Sequence, residues 1–228
     1  MRGSLIVFEG IDGAGKTTQA RHLASALARL GLEVILEKEP TDGPHGARLR
    51  ASAKTGRLPA EDELALFLAD RREHVSGVLE PALARGAVVL VDRYYLSTAA
   101  YQGARGLDPD AIVRQNEAFA PIPDRVVWVD VDPAVGVGRV RRRDTAENAF
   151  EREEDLRRCR AIFAGLHQAG TVARMVRFDG SLPQDELRRA ILHDAVGRVL
   201  RHRLGHLPVA EAGTPAWEAA VWAAARSG

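Results

Sequence analysis

The segment FEGIDGAGKTTQA, residues 8–20, constrains the chain more than any other. Three glycines fall within six residues, then a lysine and two threonines. Glycine weakens regular structure unless the backbone must turn sharply or approach something closely. Gly10, Gly15, Lys16 and Thr17 satisfy the spacing G-x-x-x-x-G-K-[ST]. The flanks agree with it: SLIVFE (4–9) reads as a short buried strand, and KTTQARHLASALARLG (16–31) as an amphipathic helix stopped by Gly31. A strand, this loop and a helix make a phosphate-binding loop. Successive backbone N–H groups turn inward as an anion nest, and the helix N-terminus adds partial positive charge. Residues 10–18 (Gly10, Ile11, Asp12, Gly13, Ala14, Gly15, Lys16, Thr17, Thr18) are therefore the expected ATP-binding segment. Lys16 would reach the outer phosphates, and the Thr17 hydroxyl would ligate Mg²⁺. The competing reading is a glycine-rich turn with no ligand, and the agreement of motif and flanks argues against it.

The rest of the chain extends this strand-helix alternation. Strands are expected at LEVILEKEP (32–40), AVVLVD (87–92), DRVVWVDV (124–131) and ARMVRFDG (173–180). Helices are expected over 59–86, entered through Pro59 and bent or broken at Pro81, and over 183–203. This pattern points to an α/β fold: a P-loop NTPase with a five-stranded parallel sheet, helices on both faces and an arginine-rich lid. Residues 1–203 read as one kinase domain with its lid at about 141–151. Residues 204–228 read as a C-terminal extension, for which a terminal helix packing two tryptophans is one solution. The net charge of +1 gives no electrostatic reason for a nucleic-acid or membrane partner. No stretch approaches the roughly 18 apolar residues of a membrane span. The N-terminal apolar run is too short for a secretory signal. The single cysteine, Cys159, forms no internal disulfide, so a cytoplasmic setting is expected.

Three further segments carry chemistry. Asp92 falls at the carboxyl end of the third strand, where open α/β sheets bind ligands, and is a second candidate Mg²⁺ ligand. Arg93 beside it offers a forked grip on a second phosphate, although an Asp-Arg pair by itself reads equally as a surface ion pair. Four of the five residues 139–143 are arginines. They read either as a solvated basic helix end paired with the acidic run Glu151 to Asp155, or as a lid folding positive charge over a transferring phosphoryl group. A signalling GTPase is disfavoured, because VVWVDVDPAVG stands where a guanine-reading N-K-x-D segment would follow a strand.

Together these residues resemble the thymidylate kinase family of P-loop nucleoside monophosphate kinases, over roughly residues 4–195. The resemblance is carried by FEGIDGAGKTTQA, KEPTDGPHGARLR (38–50), LFLADRREHV (66–75), DRYYLSTAAYQG (92–103) and ENAFERE (147–153), in that order. It implies transfer of the γ-phosphate of ATP to dTMP, with Mg²⁺, in a homodimer. By position, Phe67 would stack on thymine, Arg71 would bond a thymine carbonyl, and Arg93 would hold the dTMP phosphate with Arg50 as helper. Tyr101 would close the space beside sugar C2, and Asp12 would reach the deoxyribose. Ser97 and Gln102 would line the base pocket, with Glu39 and Pro40 beside it. Phe67 and Arg71 are four residues apart, so a helix places them on one face. Taken singly, Phe67 and Tyr101 also read as core packing, and Arg71 as a surface charge.

The chain departs from the family pattern twice. Lys38 stands where the family often has arginine, which retains the charge and loses the fork. The phosphate loop has Gly13 and no arginine, so Arg141, Arg142 and Arg143 become the candidate catalytic cations alongside Lys16, Arg93 and Asp92. The competing readings are a related P-loop kinase with another acceptor, a non-catalytic ATP-binding module, and a GTP-hydrolysing switch.

Overall fold

The computed structural model describes residues 2–143, 149–172 and 174–201. Strand β1 (Ser4–Glu9) is buried along its whole length, as a continuous apolar run requires in a sheet covered on both sides. It leads through the glycine-rich loop into α1 (Lys16–Arg29), which ends as expected near Gly31, a residue with φ of +81°. β2 (Val34–Lys38) is followed by α2 (Pro44–Thr55), a helix entered through Pro44 and left at Gly56, whose φ is +119°. The sequence reading did not single this helix out, although a proline at its start and a glycine beyond its end are the signals to expect.

α3 (Ala60–His74) continues without interruption into a π-helical turn, Val75–Leu79, and then α4 (Glu80–Ala84). The expected disturbance at Pro81 is thus a local widening. Proline lacks an N–H and cannot continue the ordinary ladder, so the turn before it takes one extra residue, and the Glu80 amide donates to the Val75 carbonyl. β3 (Val88–Asp92), α5 (Tyr95–Gly103), α6 (Pro109–Glu117) and β4 (Arg125–Asp130) follow. The Asp108 carboxylate caps α6 by accepting from the Asp110 and Ala111 amides, just before Pro109. α7 (Pro133–Arg143), α8 (Ala149–Gln168), β5 (Met175–Asp179) and α9 (Gln184–Asp194) complete the order. α9 runs into a second π turn, Ala195–Val199. Residues 144–148 of the expected lid, and the whole expected extension 204–228, lie outside the described residues.

All five strands are parallel, in the order β2-β3-β1-β4-β5, with helices packed around the sheet. β1 and β3 sit side by side, with Phe8 opposite Asp92. Two loops far apart in sequence, after Glu9 and after Asp92, therefore leave the carboxyl ends of neighbouring parallel strands together. Among the described residues no helix is long and apolar enough to cross a membrane.

Candidate functional site

The loop after β1 depends on glycine at two positions for steric reasons. A Cβ on Gly10, whose φ is +137°, would fall 2.3 Å from the Val129 carbonyl oxygen. A Cβ on Gly13, whose φ is +77°, would fall 2.2 Å from the carbonyl oxygen of Gly136 on α7. The absence of an arginine at position 13 thus has a physical cause: α7 packs its backbone directly onto the phosphate loop.

Residues 12–18 line a cavity of about 610 Å³ at the start of α1. Gly10 and Ile11 do not line it. The Ile11 carbonyl accepts from Lys16 Nζ at 2.7 Å. Burial pushes the Lys16 ammonium down to about 7, with Arg93 adding to the effect, while Asp12, Asp92 and Glu9 oppose it. A polyphosphate entering the cavity supplies the counter-charge that restores the cation. Thr17 Oγ1 donates to Asp92 Oδ2, and Asp92 Oδ1 is buried with no hydrogen-bond partner. A hydroxyl beside an orphaned carboxylate oxygen is the donor set of a hard divalent cation that draws its remaining ligands from phosphates and water, so these residues fit Mg²⁺. No group of three or more His, Cys, Asp and Glu residues suited to a metal occurs among the described residues.

The basic run divides. Arg142 lines the cavity and Arg141 does not, while the Arg143 side chain lies outside what is described. Arg139, which the sequence reading counted in the run without giving it a role, lines the cavity one helical turn before Arg142. Its guanidinium donates to the Gly13 carbonyl (3.3 Å) and the Gly180 carbonyl (3.0 Å), tying α7 to the phosphate loop. The three-residue spacing from Arg142 was the available signal.

A second cavity of about 210 Å³ adjoins the first. Asp12, Glu39, Pro40, Phe67, Arg71, Arg93, Ser97 and Tyr101 all line it, so eight expected acceptor-site residues from five segments meet. Two do not. Gln102 follows Tyr101 on α5 and so turns away into the interior, where it is wholly buried and Nε2 donates to Glu63 Oε2 (2.7 Å). Arg50 instead holds the cavity wall from behind, donating to the carbonyls of Pro40 (3.1 Å) and Thr41 (2.6 Å). Lys38 is also outside, 61% exposed and paired with exposed Asp42, so the departure from arginine there does not reach the cavity. Arg57, Tyr94 and Thr98 line it without having been foreseen.

Arg71 is 1% exposed and its fork is almost fully engaged. Nε (2.8 Å) and Nη2 (2.6 Å) donate to Glu39 Oε2, Nη1 donates to Asn116 Oδ1 (2.5 Å), and Nη2 donates to Thr98 Oγ1 (3.1 Å). His74 Nδ1 donates to the other Glu39 oxygen at 2.9 Å. The Glu39 carboxylate is therefore the anchor that orients Arg71, leaving one N–H on Nη1 for a ligand.

Asp12 and Arg93 line both cavities. Arg93 Nη2 donates to Asp12 Oδ1 (2.6 Å), and the Tyr101 hydroxyl accepts from the Asp12 amide (3.1 Å). Burial works against the Arg93 charge, but neighbouring Tyr101, Asp12 and Asp92 more than offset it and hold the guanidinium further above its ordinary range. Arg93 is the one described residue other than glycine with positive φ (70°). Glu9, also unforeseen, is wholly buried beneath it, and burial pushes its carboxyl up to about 7 against the hydrogen bonds of Ser97 and the charge of Arg93. Its apolar surroundings in SLIVFE hid it: one acid at the end of a buried strand has no periodic signal.

The chain is similar to known proteins along most of its length. Residues 8–191 match the family model described as thymidylate kinase. A thymidylate kinase from Xanthomonas campestris pv. campestris (strain B100) is 50% identical over 202 residues, covering 89% of this chain and 86% of the relative. One from Akkermansia muciniphila is 52% identical over 186 residues, covering 82% and 88%. A crystal structure of thymidylate kinase from Ehrlichia chaffeensis aligns with a TM-score of 0.67 and 28% identity, covering 84% of this chain and 97% of that one.

Proposed function

The chain belongs to the thymidylate kinase family, and from that premise we propose how its geometry performs the transfer of the γ-phosphate of ATP to dTMP, yielding dTDP and ADP. One observation carries the assignment of parts: two cavities of different chemistry meet at Asp12 and Arg93. The larger is lined by the phosphate loop and takes ATP. The smaller has an aromatic face at Phe67, an oriented guanidinium at Arg71 and a phenol at Tyr101, and takes dTMP.

In the reaction a phosphate oxygen of dTMP forms a bond to Pγ as the bond from Pγ to the β-phosphate oxygen breaks, and ADP leaves. The attacking oxygen is already ionised at neutral pH, so no general base is needed. The chain's task is to hold two polyanions in line against their repulsion. Lys16 and the amides of residues 12–18 hold the donor phosphates. Arg93 holds the acceptor phosphate at the junction, while Arg142 and Arg139 bring charge from α7, with Arg141 and Arg143 further candidates by their place in the run. Thr17 and Asp92 would hold Mg²⁺, which when bound neutralises phosphate charge at the transferring group. Tyr101, fixed by the Asp12 amide, closes the space beside the deoxyribose. Glu39, Pro40 and Arg50 shape the wall behind Arg71, and Ser97 serves Arg93.

The proposal extends to a lid over about 141–151 that closes on both nucleotides, to one kinase domain over 1–203, to a homodimer as the family resemblance implies, and to the cytoplasm, for which the single cysteine speaks. A coupled assay of ADP release with dTMP, dUMP, dCMP and thymidine tests the core of it. The expected result is Mg²⁺-dependent turnover with dTMP well above the others. ATP binding with no dTDP formed would overturn it.

A further inference from the structure

Arg93 stands in the left-handed region, which a long side chain occupies only where its surroundings over-determine the backbone. Those surroundings converge on one residue. The Arg93 amide donates to the Phe8 carbonyl at 2.9 Å, immediately before Glu9. Glu9 Oε1 accepts from the Tyr94 amide (2.9 Å) and the Ser97 amide (3.1 Å). Glu9 Oε2 accepts from the Ser97 hydroxyl, and that same hydroxyl accepts from Arg93 Nη1 at 3.1 Å. Glu9 is 0% exposed, and every hydrogen bond its side chain accepts comes from the turn that follows Arg93.

We infer that Glu9 is a positioning residue for the acceptor phosphate: through the Ser97 hydroxyl it aims the Arg93 guanidinium, and through the Tyr94 and Ser97 amides it holds the strained turn that carries it. The inference rests on the reading of Arg93 as the grip on the dTMP phosphate. Once ionised, above the value of about 7 to which burial raises it, the Glu9 carboxylate suits the task because both of its oxygens accept only. The Ser97 proton is thereby committed to Glu9, and the hydroxyl lone pairs remain for Arg93. Glutamine at position 9 would present an NH₂ to the hydroxyl and compete with Arg93 for those lone pairs. Because Glu9 directly precedes Gly10, the strand end that launches the donor loop also sets the acceptor grip, and so the spacing between the two phosphates.

The experiment measures Glu9→Gln and Ser97→Ala for the KM of dTMP, the KM of ATP, and inhibition by thymidine, which has the base and sugar but no phosphate to grip. Loss of one charge-assisted hydrogen bond is expected to raise the KM for dTMP about tenfold. The ATP KM of both variants, and the thymidine inhibition constant of Glu9→Gln, which does not line the cavity, should stay within about twofold of the parent. In an Arg93→Ala background, Glu9→Gln should add nothing, because its effect runs through a group already removed. Equal losses for dTMP, thymidine and ATP, or effects that simply add to Arg93→Ala, would mean a purely structural role and overturn the inference. An unchanged dTMP KM in Glu9→Gln beside a raised one in Arg93→Ala overturns the inference and leaves the reading of Arg93 intact. An unchanged KM in Arg93→Ala itself removes both. Should Glu9→Gln fail to fold, Ser97→Ala, which retains both backbone bonds to Glu9, gives the comparison of dTMP with ATP and the same test in the Arg93→Ala background.

Discussion

The donor and acceptor cavities adjoin, yet they are built on opposite plans. The donor cavity is a run of consecutive backbone, residues 12–18, closed by a helix N-terminus. The acceptor cavity is a set of side chains drawn from Asp12, the segment after β2, the loop before α3, α3 itself, the turn at Arg93 and α5. Those side chains are held by others: Arg71 by Glu39, Asn116 and Thr98, and Arg93 by Asp12 and Ser97. The lesson concerns where a lesion is felt. In the donor loop the scaffold is main chain, so away from Gly10 and Gly13 a change such as one at Lys16 acts on charge while the scaffold persists. In the acceptor cavity the functional groups and the scaffold are the same residues, so recognition and stability fail together.

The largest expected effect separates the two plans most clearly. Lys16→Met removes the one side-chain cation of the donor loop, and turnover at saturating substrates should fall about 10³-fold, on the order of 4 kcal/mol. Binding of dTMP alone, followed by calorimetry, should be unchanged. A comparable loss of dTMP binding would break the distinction between the cavities.

Arg71→Met is the acceptor-side counterpart. It leaves the buried Glu39 carboxylate facing His74 without its guanidinium, which should lower the unfolding free energy by about 3 kcal/mol and raise the dTMP KM together. Chemical denaturation and steady-state kinetics read the two effects, and a KM change without destabilisation would contradict the shared-residue argument.

Glu9 sharpens the comparison through pH. Its carboxyl sits at about 7 in the folded chain, above an ordinary value of 4.5. The folded state therefore holds the proton more tightly than the unfolded one. Its contribution to stability is complete below about 4.5 and is lost as pH rises through 7, by up to about 3 kcal/mol. Denaturation midpoints of the parent should fall across this window, and Glu9→Gln should flatten the fall. A parent and variant with parallel pH profiles would refute this.

The smallest effect is expected at Lys38→Arg. The Lys38 ammonium is exposed and pairs with exposed Asp42 outside the acceptor cavity, so restoring the family's arginine should move the dTMP KM by less than about twofold. A tenfold change would show that the segment after β2 reaches the ligand after all.

These expectations follow how far each part could be read beforehand. The phosphate loop was legible because its chemistry is local: the spacing of Gly10, Gly15, Lys16 and Thr17 between a strand and a helix specifies a backbone shape without distant partners. All five strands were legible as apolar β-branched runs, and the adjustment near Pro81 as the consequence of a missing N–H. The faces of residues were less legible. Phe67 and Arg71 followed from helical spacing, but Gln102 turned inward to Glu63 because adjacent helical residues diverge by about 100°. Arg50 was taken up by the carbonyls of Pro40 and Thr41, a contact no spacing rule announces. Glu9, Arg139 and Asn116 gained their roles only from what the fold brought against them.

By itself, then, the sequence determined the five strands, the donor loop and the family, because each is written in periods and motifs shorter than about twenty residues. The order β2-β3-β1-β4-β5 was a tertiary decision, and it alone set Asp92 and Arg93 beside the loop after Glu9. So was the choice of which buried charges face one another, Glu39 with Arg71 and Glu9 with the Arg93 turn. The physical reason is common to both: a parallel sheet is ordered by long crossovers, and a buried charge must find its partner in space wherever the chain happens to supply it.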